Sequence, residues 1–485
     1  MRRGFETVTR RPRNPLNRRT LGPQQWGAVP REMHRGSNRI LNLIPGNFET
    51  GWPSYSSYGT FSTSIVSTGV ARVTNGNADY SGATITIPVV PGQSYDLRLT
   101  NPGTGTASGF AAFNFGGTED QLLGTGSINV TRTAINSTIT LYLSTNSNTN
   151  AVYTNFSGIS ITRSGVSEAS LIVEKAVQAR LTGLRFDIHG QTVFPTFGTY
   201  DYSVPDPLYA ACVAAGLRMC ACLNTTPQWA SGSANGHTYP SSGQLANYVL
   251  SVRNAVARYP LIEFWEINNE QNVAGFNSYL GSGNSVANCA AEYMKQAKAL
   301  AIGIRAERPS AIVVSCGLTG PTTTVLGSYI TPADYLNACY ADAANPMAGV
   351  FDMHGYHPYS RPEDPSSSNS WNGWEIMESQ VRAIHVANGE GRKPIFATEF
   401  GFPTGGTGGL QVTEGFAGTG VSSAYYLGAT VDPWLFAVAH YTMFDYPPSN
   451  SASTDTEDYY GLYRLDGSYT AKPSVTSVKA IASLG

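Results

Sequence analysis

The chain has 485 residues, of which 13% are charged, and a formal net charge of −2. That length exceeds one ordinary hydrophobic core, so two domains with tails are expected, and so small a net charge supplies no overall field to gather nucleic acid. No stretch is long and apolar enough to span a membrane, and the abundance of Gly, Ser, Thr, Asn and Tyr is that of extracellular or virion surface proteins rather than cytosolic enzymes.

Charge is concentrated at the start. Residues 1–40 carry ten arginines (Arg2, Arg3, Arg10, Arg11, Arg13, Arg18, Arg19, Arg31, Arg35 and Arg39) against Glu6 and Glu32. With no apolar periodicity and many Pro and Asn, this basic N-terminal arm is expected to be disordered or extended on its own. It reads either as a solvated segment or as a docking segment for a partner protein. The opening Arg-Arg is not followed by the apolar run of a secretion signal.

Residues 41–165 read as an all-β sandwich. The runs 83–90, 94–100, 109–115, 137–143 and 157–162 alternate apolar and polar residues between Gly, Pro and Asn turns, the pattern of half-buried strands. The opening NLIPGNFETGW and closing SGISITR resemble the ends of jelly-roll carbohydrate-binding modules. Trp52, Tyr55, Tyr58, Phe61 and Tyr80 then supply either a sugar-stacking platform or part of the core.

Beyond Gly165 the periodicity changes to alternating helices and strands. A helix at Glu168–Arg180 precedes a strand in GLRFDIHG; a helix at Pro207–Gly216 precedes LRMCACL, which ends in TTPQW. The cycle continues through a helix to Arg258, the strand before Glu270, a helix through Ala306, and strands in AIVVSCG, FDMHGYHPY, KPIFATEF and WLFAVAHYTMFDY. Repeated βα units predict a parallel (β/α)8 TIM barrel over residues 166–485. On this division the barrel works without the sandwich. Its first strand is either SGISIT or a segment from residues 20–40. The cysteines Cys212, Cys220, Cys222, Cys289, Cys316 and Cys339 read as small buried thiols, and Cys220 and Cys222 share one face of their strand.

Two glutamates stand where buried strands give way to loops: Glu270 in EFWEINNEQN and Glu399 in KPIFATEFGFPT. A glycosidase needs one carboxylic acid to protonate the leaving oxygen and a second carboxylate to attack or to activate water. WEINNEQN and ATEFGFPT resemble the strand-four and strand-seven signatures of glycoside hydrolase clan A, retaining enzymes built on a (β/α)8 barrel. The resemblance implies that Glu270 is the general acid/base, that Glu399 is the nucleophile, and that Asn269 holds the substrate hydroxyl beside the reacting carbon. Arg185 matches the family's strand-two arginine, which braces the nucleophile. His357 and Tyr359 in GYHPY match a His-Pro-Tyr at the end of strand six, which hydrogen-bonds the nucleophile or the sugar. The closing YYGLYRLDGSYTAKPSV also matches. At the end of strand eight, where the family commonly carries a stacking tryptophan, the chain has Tyr441, Phe444, Asp445 and Tyr446; Tyr446 is the substrate-binding candidate there.

Trp229 is placed either to floor a sugar subsite or to pack in the core. His354 and His357 are three residues apart on a strand and so on opposite faces, and no metal or cofactor is expected. The expected function is retaining hydrolysis of a polysaccharide or glycoconjugate. The alternative is a non-catalytic carbohydrate-binding or structural virion protein on the same barrel. Export-like composition, the absence of a visible signal and the basic arm fit a phage tail component acting on cell-surface glycan; a signal lost in cloning fits the same facts.

Overall fold

The computed structural model describes residues 24–28, 43–44, 48, 52, 55–67, 69–76, 81–115, 119–445, 454–465 and 469–482. The ten arginines of residues 1–40, Tyr80 and Tyr446 lie outside the described residues. The strands, in chain order, begin with β1 (Gln24–Ala28), β2 (Ser56–Tyr58), β3 (Phe61–Ser67), β4 (Val70–Asn75), β5 (Gly82–Pro88), β6 (Ser94–Asn101), β7 (Phe110–Asn114), β8 (Glu119–Leu123), β9 (Gly126–Thr133), β10 (Thr138–Ser144) and β11 (Tyr153–Arg163).

From β2 to β11 the chain forms two five-stranded antiparallel sheets, ordered β2-β5-β10-β7-β8 and β3-β4-β11-β6-β9. Alternation decides which side chains go inside. Ile139, Leu141 and Leu143 of β10 and Leu97 and Leu99 of β6 share a buried cluster with Phe113, Phe156 and Ile161. Trp52 packs edge-on against Phe48 and Tyr55, 5.0 and 5.8 Å between ring centroids, while Tyr55 and Tyr58 stay exposed.

The remaining strands are β12 (Gly183–His189), β13 (Arg218–Thr225), β14 (Phe264–Ile267), β15 (Ile312–Val314), β16 (Leu318–Thr319), β17 (His354–His357), β18 (Ile395–Phe400) and β19 (Leu435–His440). With β1 they make a nine-stranded parallel sheet in the order β15-β14-β13-β12-β1-β19-β18-β17-β16. β15 and β16 are consecutive pieces of one stave, and a parallel bridge between Val314 and Met353 brings the ends of the sheet together. The result is a curled sheet consistent with a TIM-like barrel, with helices such as Pro205–Ala215, Leu245–Arg258, Val286–Glu307 and Glu414–Thr430 between its strands.

The helices follow local chemistry. The first, Glu168–Gln178, starts on a Ser167 capping box and ends short of Arg180, which takes a left-handed φ of 58°. Helix Val286–Glu307 is capped by Ser285 and buries Cys289, Tyr293, Ala297, Leu300 and Ile304, the three- and four-residue spacing of one helical face. All six cysteines are free and buried.

The first stave corrects the division of the chain at residue 166. β1, inside the segment read as an arm, lies parallel between β12 and β19, with Trp26 opposite both Gly183 and Ala439, whereas SGISIT belongs to β11 in an antiparallel sheet. Trp26 fills the barrel interior, 5.4 Å from Phe264 and 5.2 Å from Phe396 between centroids. Gly183 makes room for it, since a Cβ there would fall 2.7 Å from the indole. A fragment of residues 166–485 therefore has two unpaired strand edges and an empty interior slot, and it is expected to aggregate or to lack cooperative unfolding. A soluble fragment with the melting temperature of the full chain would refute the placement of β1.

Candidate active site

The site is built around one buried cation. Arg185 on β12 points into the barrel and donates three ways: Nε to Glu266 Oε2 at 2.6 Å, Nη1 to Glu399 Oε1 at 2.9 Å and Nη2 to Asn269 Oδ1 at 2.8 Å. Burial opposes its charge, but Glu266, Cys222 and Glu399 outweigh that and raise its pKa well above the usual arginine value. Three acceptors in three directions leave the guanidinium one orientation, so it places Glu399 and Asn269 relative to each other.

Glu266 escapes the sequence reading. It lies in β14, between Trp265 and Ile267, and is fully buried. Its second oxygen accepts the Gly317 N–H at 3.0 Å. A charge inside an apolar strand is the one available sequence signal, because a buried carboxylate needs a partner; its partner lies 81 residues away.

Asn269 and Glu270 follow β14 after Asn268, and the backbone there is strained. Asn268 and Glu270 have φ of 65° and 42°, a left-handed region costly for residues with a Cβ and enriched at functional sites. The Glu270 N–H donates to the Gly317 carbonyl at 2.9 Å, which helps hold that turn. Gly317 is thus joined to both Glu266 and Glu270. It also has to be glycine, since a Cβ would fall 2.1 Å from His357 Nε2 and 2.6 Å from Thr398 Oγ1.

His357, at the end of β17, joins the two glutamates. Its Nδ1 lies 2.8 Å from Glu270 Oε1 and 3.6 Å from Glu399 Oε2, and its Nε2 lies 3.1 Å from Thr398 Oγ1. Burial pulls its pKa down, but Glu399 and Glu270 outweigh burial and raise it, favouring the charged ring. Tyr359 donates its hydroxyl to Glu399 Oε2 at 2.9 Å. Burial, then Glu399, pushes the Tyr359 pKa far up, so it remains a donor. Its ring packs with Tyr441 and Tyr460. Glu270, His357 and Glu399 each bring a ligand-type atom within 4.8 Å of the others.

Six of the eight predicted site residues therefore converge: Arg185, Asn269, Glu270, His357, Tyr359 and Glu399. Trp229 is placed elsewhere: its indole N–H donates to the Phe194 carbonyl at 2.9 Å and its ring packs on Phe197, 5.3 Å between centroids. These contacts pack it locally, and no hydrogen bond among the described residues links it to the network. Tyr446 lies outside the described residues.

A second buried group, His354, His385 and Glu390, also offers three ligand-type atoms within 4.8 Å. His354 and His357 thus fall into separate networks, as their spacing predicts. In this second group His354 Nε2 approaches Glu390 Oε2 at 3.0 Å, while its Nδ1 is buried without a hydrogen-bond partner. His354 stacks on His385 at 3.6 Å, Tyr340 donates to Glu390 at 2.7 Å, and Lys393 pairs with Glu390. In the first group Arg185 and Tyr359 donate to Glu399, Thr398 meets His357 Nε2, and His357 Nδ1 faces both glutamates. A cavity of about 260 Å³ opens beside Tyr359. A larger one, about 600 Å³, lies between helices Glu414–Thr430 and Pro473–Ala482 and is lined by none of the site residues.

No family model and no curated protein matches the chain. Solved structures do. A family 39 glycoside hydrolase from the gut symbiont Bacteroides cellulosilyticus WH2 aligns over 83% of this chain and 79% of its own, at 15% identity and a TM-score of 0.50. Arabinose-bound MgGH51 α-L-arabinofuranosidase aligns over 96% of this chain and 80% of its own, at 13% identity and a TM-score of 0.51. What these proteins share with this chain is the fold.

Proposed function

We propose that the protein is a retaining glycoside hydrolase that cleaves a polysaccharide or glycoconjugate by double displacement. The observation that carries the reading is the convergence of the two carboxylates on His357, whose Nδ1 lies 2.8 Å from Glu270 Oε1 and 3.6 Å from Glu399 Oε2, so that the nearest oxygens of the two fall within 4.8 Å. Retaining enzymes hold their carboxyl groups about 5–5.5 Å apart, whereas inverting ones leave about 6.5–9.5 Å for a water. The environments divide the roles. Glu399 accepts from Arg185 and Tyr359, and two donors favour the charged carboxylate that attacks the anomeric carbon. Glu270 touches neither of those donors. It sits on the loop after β14, its side chain 14% exposed, where it reaches the leaving oxygen.

In the first step Glu399 forms a bond to the anomeric carbon while Glu270 gives a proton to the departing oxygen. In the second, Glu270 takes a proton from water, which attacks the same carbon and releases Glu399. Asn269, its side-chain oxygen engaged by Arg185, turns its amide donors to the neighbouring sugar hydroxyl. A non-catalytic barrel is the weaker reading, because such a protein has no use for a strained Glu270 beside a braced Glu399. Incubation with a panel of 2,4-dinitrophenyl 2-deoxy-2-fluoroglycosides is expected to leave a covalent adduct on the peptide that contains Glu399, read by mass spectrometry. An adduct on another residue, or a hydrolysed substrate whose first product has inverted configuration, would overturn the assignment.

A further inference from the structure

We propose that Arg361 binds the carboxylate of a uronic acid residue, so that the glycan cleaved at this site is acidic. The inference rests on the glycosidase reading of the same site and specifies its substrate. Arg361 lies just past β17, with its guanidinium 4.2 Å from the centre of the Tyr359 ring and 5.3 Å from that of Tyr460. Since the Tyr359 hydroxyl bonds Glu399, one side chain separates this cation from the proposed nucleophile.

Arg361 has no carboxylate partner among the described residues, and its Nε is buried without a hydrogen-bond partner. Arg185, Arg218, Arg258 and Arg464 each face a carboxylate, and Arg72, Arg308 and Arg382 donate to an amide or to backbone carbonyls. The nearest acid in sequence, Glu363, is taken by Ser367 and Asn369. A guanidinium held over an aromatic ring without a carboxylate partner keeps its planar fork for the two oxygens of a carboxylate.

The space in front of it suits a sugar. The cavity of about 260 Å³ is lined by Val273, Thr319, Tyr329, Tyr359, Arg361 and Leu410. Two tyrosines and Thr319 stand in its lining, and Val273 donates its N–H to the Glu270 carbonyl at 2.9 Å. Two residues that line the cavity, Val273 and Tyr359, are thus hydrogen-bonded to Glu270 and Glu399. A neutral sugar leaves Arg361 unpaired there, while a uronate neutralises it.

The test is binding to the full chain, measured by calorimetry. The probes are oligosaccharides of galacturonate, glucuronate and mannuronate, each beside its carboxyl-reduced and its 6-sulfated counterpart. At least one uronate is expected to bind about tenfold or more tightly than its reduced counterpart. Arg361→Gln should erase that margin at an unchanged melting temperature, and Arg361→Lys, which keeps charge but loses the fork, should retain part of it. No acid preference in the wild type, a preference that survives Arg361→Gln, or a stronger preference for sulfate would overturn the proposal. Binding requires no turnover, so acid-selective binding without hydrolysis would remove the glycosidase reading and leave only the uronate site at Arg361, while hydrolysis of neutral glycans alone would do the reverse.

Discussion

Glu399→Ala is expected to abolish turnover of every glycoside, on the order of 10⁴-fold or more, because both steps pass through that carboxylate. Glu270→Ala should behave differently according to the leaving group. With an alkoxide or sugar leaving group, which needs a proton, the loss should be about 10²–10⁴-fold. With 2,4-dinitrophenolate, which leaves without one, the first step should survive and the glycosyl-enzyme should accumulate, seen as a burst. Azide should then accelerate turnover and appear in the product as a glycosyl azide with the configuration of the substrate, because a small anion fits the space vacated by the carboxylate. Glu399→Ala should give no burst and no azide product of that configuration. If the two variants exchanged these behaviours, the roles of Glu270 and Glu399 would be reversed; if azide gave the inverted product with Glu270→Ala, double displacement would be wrong.

Arg185→Ala should both unfold and inactivate the protein. From sequence alone the residue reads as a brace for Glu399, whose loss costs turnover and spares the fold. The structure changes that expectation, because Arg185 also neutralises Glu266, which is fully buried and 2.6 Å away. Removing the cation leaves two carboxylates facing one another in the barrel interior, and breaking a buried pair from one side costs about 3–5 kcal/mol. The melting temperature of Arg185→Ala should fall sharply, beyond what the truncated side chain explains. Glu266→Gln should restore part of it when combined with Arg185→Met, since neither member of that pair is then charged. Activity should not return, because Glu399 and Asn269 have still lost their common donor. A double variant no more stable than Arg185→Met alone would show that the cost lies elsewhere.

The resemblance reached the centre of the site because its signals are local. Glu270 and Glu399 each follow or end a short apolar run, and the polar residues that line a barrel mouth stand next to those runs, so Asn269 and Tyr359 came with them. Trp229 shows the reach of such signals: a tryptophan after a strand reads alike in sequence whether its ring meets a sugar or packs on Phe197, the contact the structure shows.

Period and punctuation in the sequence determined the strands and helices, the change from antiparallel to βα order near Gly165, and the two carboxylates at strand ends, since each depends on neighbours a few residues apart. The tertiary structure alone decided the rest. β1, QQWGA, lies in the basic arm with no βα unit beside it in sequence, and becomes a stave only between β12 and β19. Arg185 is joined to Glu266 across 81 residues and to Glu399 across 214, and Gly317 must be small only because His357 and Thr398 pack against it. Burial, pairing and close approach are relations between distant segments, and chain closure in a barrel sets them together; no window along the sequence contains them.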